Sequence, residues 1–144
     1  MIIEISSEKA MRDFGSRIGA RLKGGEVLEL VGDVGAGKTT FVKGLAAGLG
    51  IEGPVQSPSF TISQVYDARD GLRLAHYDFY RLADPGIMAD ELFEMVGESG
   101  TIAAIEWADT VAEVLPDSRY RLKFLATSED GRRVELPDTL GEKL

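Results

Sequence analysis

Glu26-Val27-Leu28-Glu29-Leu30-Val31-Gly32-Asp33-Val34-Gly35-Ala36-Gly37-Lys38-Thr39-Thr40-Phe41 is the stretch on which the fold turns. Glu26 to Val31 is a short apolar run interrupted by two acids, the pattern of a buried strand. Gly32 to Thr39 then satisfies G-x-x-x-x-G-K-[ST] without a gap, and Thr39 to Leu49 reads as a helix stopped by Gly50. Strand, glycine loop and helix is the order a phosphate-binding loop requires. Glycines let successive backbone N–H groups turn inward around a phosphate, and the helix N-terminus adds positive potential. From this loop Lys38 can reach β- and γ-phosphates, and the Thr39 hydroxyl can ligate Mg²⁺. A dinucleotide fingerprint is excluded, because Gly35-Ala36-Gly37 is followed by Lys38-Thr39-Thr40 with no third glycine. The stretch predicts a nucleoside triphosphate site. The Asn/Thr-Lys-x-Asp motif with which Ras-type GTPases read guanine has no counterpart, since the chain has no asparagine and no lysine with an aspartate two residues later. ATP is the expected nucleotide.

Outward from the loop, helices and strands interleave. Ser7 to Leu22 is predicted as an amphipathic helix, with Ala10, Phe14, Ile18 and Leu22 recurring every fourth residue and Gly24-Gly25 ending it. Ser59 to Tyr66 and Leu72 to Tyr77 alternate around the turn Asp67 to Gly71, a β-hairpin. Asp84-Pro85 reads as an N-cap and first helical residue opening a helix to Val96. Thr101 to Glu106 is a second buried strand, and Tyr120 to Ala126 with Arg133 to Leu136 form a closing hairpin around Glu129-Asp130-Gly131. The pattern predicts an α/β fold, one P-loop domain over residues 1–144: a mixed sheet with a parallel centre and antiparallel hairpins, and helices on both faces.

Composition narrows the partners. The 144 residues are 44% hydrophobic and 28% charged, enough to build a core, and carry 16 Lys and Arg against 24 Asp and Glu, a net charge of −8. Such a chain is not expected to grip nucleic acid unaided, because phosphate contacts need clustered cations. Without cysteine there is no disulfide, thiol nucleophile or Cys-ligated zinc, and His76 alone cannot build a His-rich metal site. The first residues lack the basic and apolar regions of a signal peptide, and no stretch approaches a membrane span, so a cytoplasmic location is expected.

A phosphate loop needs an acid at a neighbouring strand end to hold Mg²⁺ or orient water. Glu106, closing Ile102-Ala103-Ala104-Ile105, fits that description; the alternative is an ordinary surface glutamate. Asp78 is the second candidate. On a strand it shares a face with His76, and the two could position an attacking water or support a metal ligand, or could equally form a structural hydrogen bond within the sheet. Ser57-Pro58-Ser59-Phe60 could order around a γ-phosphate as a switch loop or be a turn leading into a strand. Asp67 to Gly71 lacks the twelfth-position glutamate of a calcium loop and is excluded as one.

Gly32 to Phe41, Ser57-Pro58-Ser59-Phe60-Thr61, His76-Tyr77-Asp78-Phe79-Tyr80-Arg81-Leu82 and Glu106-Trp107 occur in the order seen in the TsaE family, which the chain resembles over almost its whole length. That family is the ATPase component of the bacterial tRNA threonylcarbamoyladenosine machinery. The resemblance implies a small P-loop α/β domain that binds ATP and Mg²⁺. It also implies two partner subunits, a tRNA threonylcarbamoyl transferase and its paralogue (the TsaD and TsaB type), with tRNA reached only through the complex. It implies that Thr39 and Glu106 hold magnesium and that Val34, Gly35, Ala36, Gly37, Lys38 and Thr39 form the phosphate loop. Thr40 is expected to contact nucleotide beside them, and Lys38, Asp78 and Glu106 are the expected catalytic residues, Lys38 stabilising charge on the γ-phosphate and Asp78 orienting water. Glu8, Asp109 and Arg132 align with nucleotide-contacting positions. Two residues depart from the family pattern: Ser59 where threonine is usual, which keeps the hydroxyl, and Ala108 where proline is common. Two other classes remain open on the residues alone. A small-molecule kinase would need an arginine-rich lid, and Arg132-Arg133 is the only arginine pair; a nucleotide-switched binding module would use ATP to order Ser57 to Phe60.

Overall fold

A computed structural model of the chain describes residues 1–55, 63–80 and 86–144. The buried runs read from the sequence become the middle of one sheet. Strand β2 (Val27–Val31) lies between β5 (Thr101–Glu106) and β6 (Tyr120–Ala126), parallel to both, and β4 (Arg73–Asp78) extends the parallel region beyond β5. Every residue of β5 is buried, as expected of a strand covered on both faces. Antiparallel strands flank this centre: β3 (Ser63–Asp67) pairs with β4 on one side, and β7 (Arg132–Glu135) with β6 on the other. The spatial order is β1-β7-β6-β2-β5-β4-β3. The predicted parallel centre with attached hairpins is observed.

Alternation along these strands feeds two cores. Leu28, Leu30, Leu74, Ile102, Ala104, Leu122 and Phe124 pack beneath α1 (Glu8–Arg21) and α2 (Lys38–Gly48). Val27, Ala75, Tyr77, Ala103 and Ile105 face the other way, under α3 (Ile87–Val96) and the 3₁₀ segment Ala108–Val114. Helices therefore cover both faces. The two helices of the first face approach unusually closely. A Cβ on Gly15 or Gly19 of α1 would stand 2.4 Å from the carbonyl oxygen of Phe41 or Leu45 on α2; one on Gly44 or Gly48 of α2 would stand 2.1 or 2.2 Å from that of Arg12 or Ser16 on α1. Four glycines thus let backbone meet backbone, and the N-terminal turn of α1 comes to rest against the loop that precedes α2.

Several boundaries differ from the sequence reading for local reasons. Ser7 is the cap of α1 rather than its first residue, its Oγ accepting from the Ala10 N–H at 3.0 Å. Helix α3 starts at Ile87 with Gly86 at the capping position, while Asp84 and Pro85 lie outside the described residues, as do Ser57 to Phe60 and Arg81. The closing strand is Arg132–Glu135, one residue earlier than predicted. Strand β1 (Ile2–Ile5), antiparallel to β7, and the short helix α4 (Asp138–Gly141) were not expected. Among the described residues no helix is long and apolar enough to cross a membrane.

Candidate functional site

The carboxyl ends of β2, β4 and β5 lie side by side, and the loop after β2 opens there, the edge at which open α/β sheets bind ligands. Gly35 (φ +85°) and Gly37 (φ +106°) take left-handed backbone conformations that turn the loop back on itself. Gly37 occupies the capping position of α2 and offers no side chain to it. The first α-helical backbone bond runs from the Phe41 N–H to the Gly37 carbonyl, so the N–H groups of Lys38, Thr39 and Thr40 have no acceptor within the helix. The Ala36 N–H is committed to the Asp33 carbonyl at 3.1 Å and its side chain is buried, so Ala36 holds the loop's shape. Loop and first helix are tightly matched: a Cβ on Gly37 would come within 2.8 Å of Met11 Cε on α1.

The residues that carry these N–H groups, which have no backbone acceptor among the described residues, line a cavity of about 460 Å³. Of the predicted site residues, Glu8, Val34, Gly35, Gly37, Lys38, Thr39, Thr40, Asp78, Glu106 and Arg132 line it together. Ala36 and Asp109 do not; both line a neighbouring cavity of about 420 Å³ that shares Val34, Gly35, Lys38 and Trp107 with the first. Ser7, Met11, Tyr80, Glu129, Asp130 and Trp107 also line the main cavity, with no role read for them from composition or spacing. Tyr80 lies two residues beyond Asp78 in the His76 to Leu82 motif, which was a usable signal; Met11 carries none, since its place depends on how α1 lies on α2.

Lys38 is buried, donates from Nζ to the Gly32 carbonyl, and sits 4.0 Å above the centroid of the Trp107 ring. The Tyr80 ring packs against the same indole, centroids 4.8 Å apart. Burial pulls the Lys38 ammonium below the ordinary lysine range, opposed by the carboxylates of Glu106, Asp78 and Asp33. Trp107 itself has φ +57°, a left-handed conformation costly to a bulky residue and frequent where a site demands a fixed side chain.

Strand register explains the acids. Asp78 on β4 stands opposite Glu106 on β5, and His76 stands opposite Ala104, so all three polar side chains share the face that carries α2. His76 and Asp78 do share a face, as the spacing predicted, but the imidazole bonds elsewhere: its Nε2 lies 2.6 Å from Glu106 Oε2. Asp78 Oδ1 instead accepts from the Tyr80 N–H at 2.9 Å. Burial raises the Asp78 pKa and Glu106 adds to the rise, while the Tyr80 N–H, His76 and Lys38 oppose it. Arg132 is held by its own turn, its Nη1 donating to the carbonyls of Ser128, Glu129 and Gly131.

This donor set fits a magnesium–triphosphate. Three N–H groups without a backbone acceptor among the described residues, and a lysine, suit an anion, and Thr39 and Glu106 bring hydroxyl and carboxylate oxygens to the same cavity. Among the described residues no three His, Cys, Asp or Glu side chains form a cage of their own, and Mg²⁺ needs none, being held by one or two carboxylates with phosphates and water.

Fold and site together define a class, the P-loop α/β proteins. Within it, the chain belongs to the TsaE family, because the family model described as threonylcarbamoyl adenosine biosynthesis protein TsaE matches residues 5–134. The tRNA threonylcarbamoyladenosine biosynthesis protein TsaE of Borreliella burgdorferi is 38% identical over 143 residues, covering 94% of this chain and 98% of that one. The Bacillus subtilis protein of the same name is 44% identical over 115 residues, covering 78% and 69%. The crystal structure of Bacillus subtilis YdiB superposes with a TM-score of 0.77 at 33% identity, over 99% of this chain and 90% of that one. The resemblance read from the motifs is thereby shown, and the protein's place in tRNA modification with it.

Proposed function

We propose that this protein is the magnesium-dependent ATPase of tRNA threonylcarbamoyladenosine modification, built as one P-loop domain over residues 1–144, acting in the cytoplasm. In this reading it works with a threonylcarbamoyl transferase and its paralogue and meets tRNA only through them. The observation that carries the reading is the convergence on one cavity of the first turn of α2, Lys38, and the two strand-end carboxylates Asp78 and Glu106.

The N–H groups of the first turn of α2 bind phosphate oxygens, and Lys38 leaves Gly32 and the Trp107 face to neutralise charge developing on the γ-phosphate. Thr39 and Glu106 would hold Mg²⁺, which would supply positive charge to offset that of the phosphates. Asp78 orients the attacking water; its burial and its bond from the Tyr80 N–H fix its direction. Glu8 and Arg132 border the cavity and contact the rest of the nucleotide. Asp109 lines the adjoining cavity, which shares Val34, Gly35, Lys38 and Trp107 with the first, and contacts nucleotide from there. Titration calorimetry with ATP and GTP, with and without Mg²⁺, tests the reading. Magnesium-dependent binding that favours ATP is expected. Equal binding of both nucleotides, or no effect of the metal, would contradict it.

A further inference from the structure

His76 is the most deeply buried polar side chain near the cavity, fully enclosed, yet it does not line the cavity. Burying an imidazole costs free energy that only hydrogen bonding offsets, and an apolar residue of similar size would avoid the cost. Here the ring has one polar partner: Nε2 donates to Glu106 Oε2 at 2.6 Å, while Nδ1 has no partner among the described residues. Among the described residues the Glu106 carboxylate is the one hydrogen-bond partner that orients the ring, and the ring in turn fixes the carboxylate. Register makes this possible. His76 lies opposite Ala104, whose small side chain leaves the diagonal open toward Glu106 two residues along β5. Without that bond the Glu106 carboxylate, itself buried, would face Asp78 directly across the strand pair.

We propose that His76 is a positioning residue for the proposed ATP reaction: it holds Glu106 by Oε2 and so presents Oε1 to the metal–phosphate cavity. The proposal rests on the reading of Glu106 as the magnesium carboxylate. A partner hydrogen-bonded to a ligating group sets both its direction and its basicity, and losing such a partner commonly weakens metal binding by about 10–100-fold. His76 is expected to act only where Mg²⁺ is involved, and nucleotide held by the loop amides alone should not register its loss.

The test is calorimetric titration with ADP across a Mg²⁺ series and in the presence of a chelator, on four variants whose folding is checked by thermal melting. His76→Gln keeps an N–H near the position of Nε2. His76→Asn places one only near Nδ1, and His76→Leu keeps volume without polarity. His76→Leu and His76→Asn are expected to need about 10–100-fold more Mg²⁺ for half its effect on ADP affinity, with chelator-state affinity unchanged and His76→Gln close to the parent. Should His76→Leu not fold, the Gln and Asn pair carries the same contrast. Parental magnesium dependence in His76→Asn and His76→Leu, with dependence lost in Glu106→Gln, would overturn the proposal alone. So would equal impairment in His76→Gln and His76→Asn, or an equal loss of affinity with and without metal. Parental dependence in Glu106→Gln would instead overturn the magnesium reading beneath it.

Discussion

Asp78 and Lys38 are a carboxylate and an ammonium placed where burial disfavours the charge of each, and their sensitivity follows from that. Asp78 has a folded pKa above its ordinary value of 3.8. The folded state therefore holds a proton more firmly than the unfolded chain, and the group's contribution is most favourable below 3.8 and is lost as pH rises through the folded value. Asp78→Asn removes that penalty while keeping an acceptor for the Tyr80 N–H. At pH 7 the variant should be at least as stable as the parent, with the difference closing as pH approaches 4, while its ATP turnover falls steeply at near-normal nucleotide affinity. Urea unfolding at the two pH values beside a turnover assay checks this; lower stability at pH 7 would make Asp78 structural. Lys38→Ala loses a charge-assisted contact worth roughly 1.5–3 kcal/mol, more where water is excluded. Turnover in the reconstituted system should fall by at least about 10–150-fold, and a parental rate would remove Lys38 from the chemistry. Trp107, the one tryptophan, reports on the same event. In the proposed reading Lys38 leaves this ring for phosphate, so indole fluorescence should change on Mg-ADP binding; calorimetrically confirmed binding without a spectral change would contradict this path.

Among the elements, the contact of α1 on α2 is the one that brings Glu8 and Met11 to the loop. Gly44→Ala gives α2 a better helix former, a gain of about 1 kcal/mol in an exposed helix. Here the new Cβ meets the Arg12 carbonyl oxygen at 2.1 Å, and backbone must move. Overpacking of this kind costs about 1–3 kcal/mol, so the variant should lose stability in denaturant melts and weaken in nucleotide affinity as α1 is pushed off. An unchanged melting midpoint would deny the close approach its role. The legibility of the elements follows the same physics. The β2-loop-α2 unit and both hairpins were readable, because a motif with fixed spacing or a turn with alternating flanks is local information. Strand β1, only Ile2–Ile5, offers four residues and no full period, and its place depends on β7, over a hundred residues later. The four glycines of α1 and α2 carry no local signal for this packing, since their role appears only where the two helices meet.

For the whole molecule, the site's residues were legible singly and its wiring was not. Lys38, Thr39, Asp78 and Glu106 stand out by motif and strand-end position, but the bond from His76 to Glu106 follows from the register of β4 on β5. Likewise Asp109, three residues from Glu106 in sequence, lines the adjoining cavity, and between the two the chain passes through the left-handed conformation of Trp107. Charge acts at the same scale. A net charge of −8 disfavours gripping RNA unaided, because phosphate contacts need clustered cations. Arg132, the one arginine lining the phosphate cavity among the described residues, is tied to three carbonyls of its own turn. P-loop sites without an arginine at the γ-phosphate are slow, and supplying one accelerates them by about 10³–10⁵. The most direct measurement is steady-state phosphate release from Mg-ATP by the protein alone, then with the transferase pair, then with tRNA added. Weak release alone, and a large acceleration once the partners complete or order the site, is the result predicted; fast release by the isolated protein, unchanged by the partners, would contradict it.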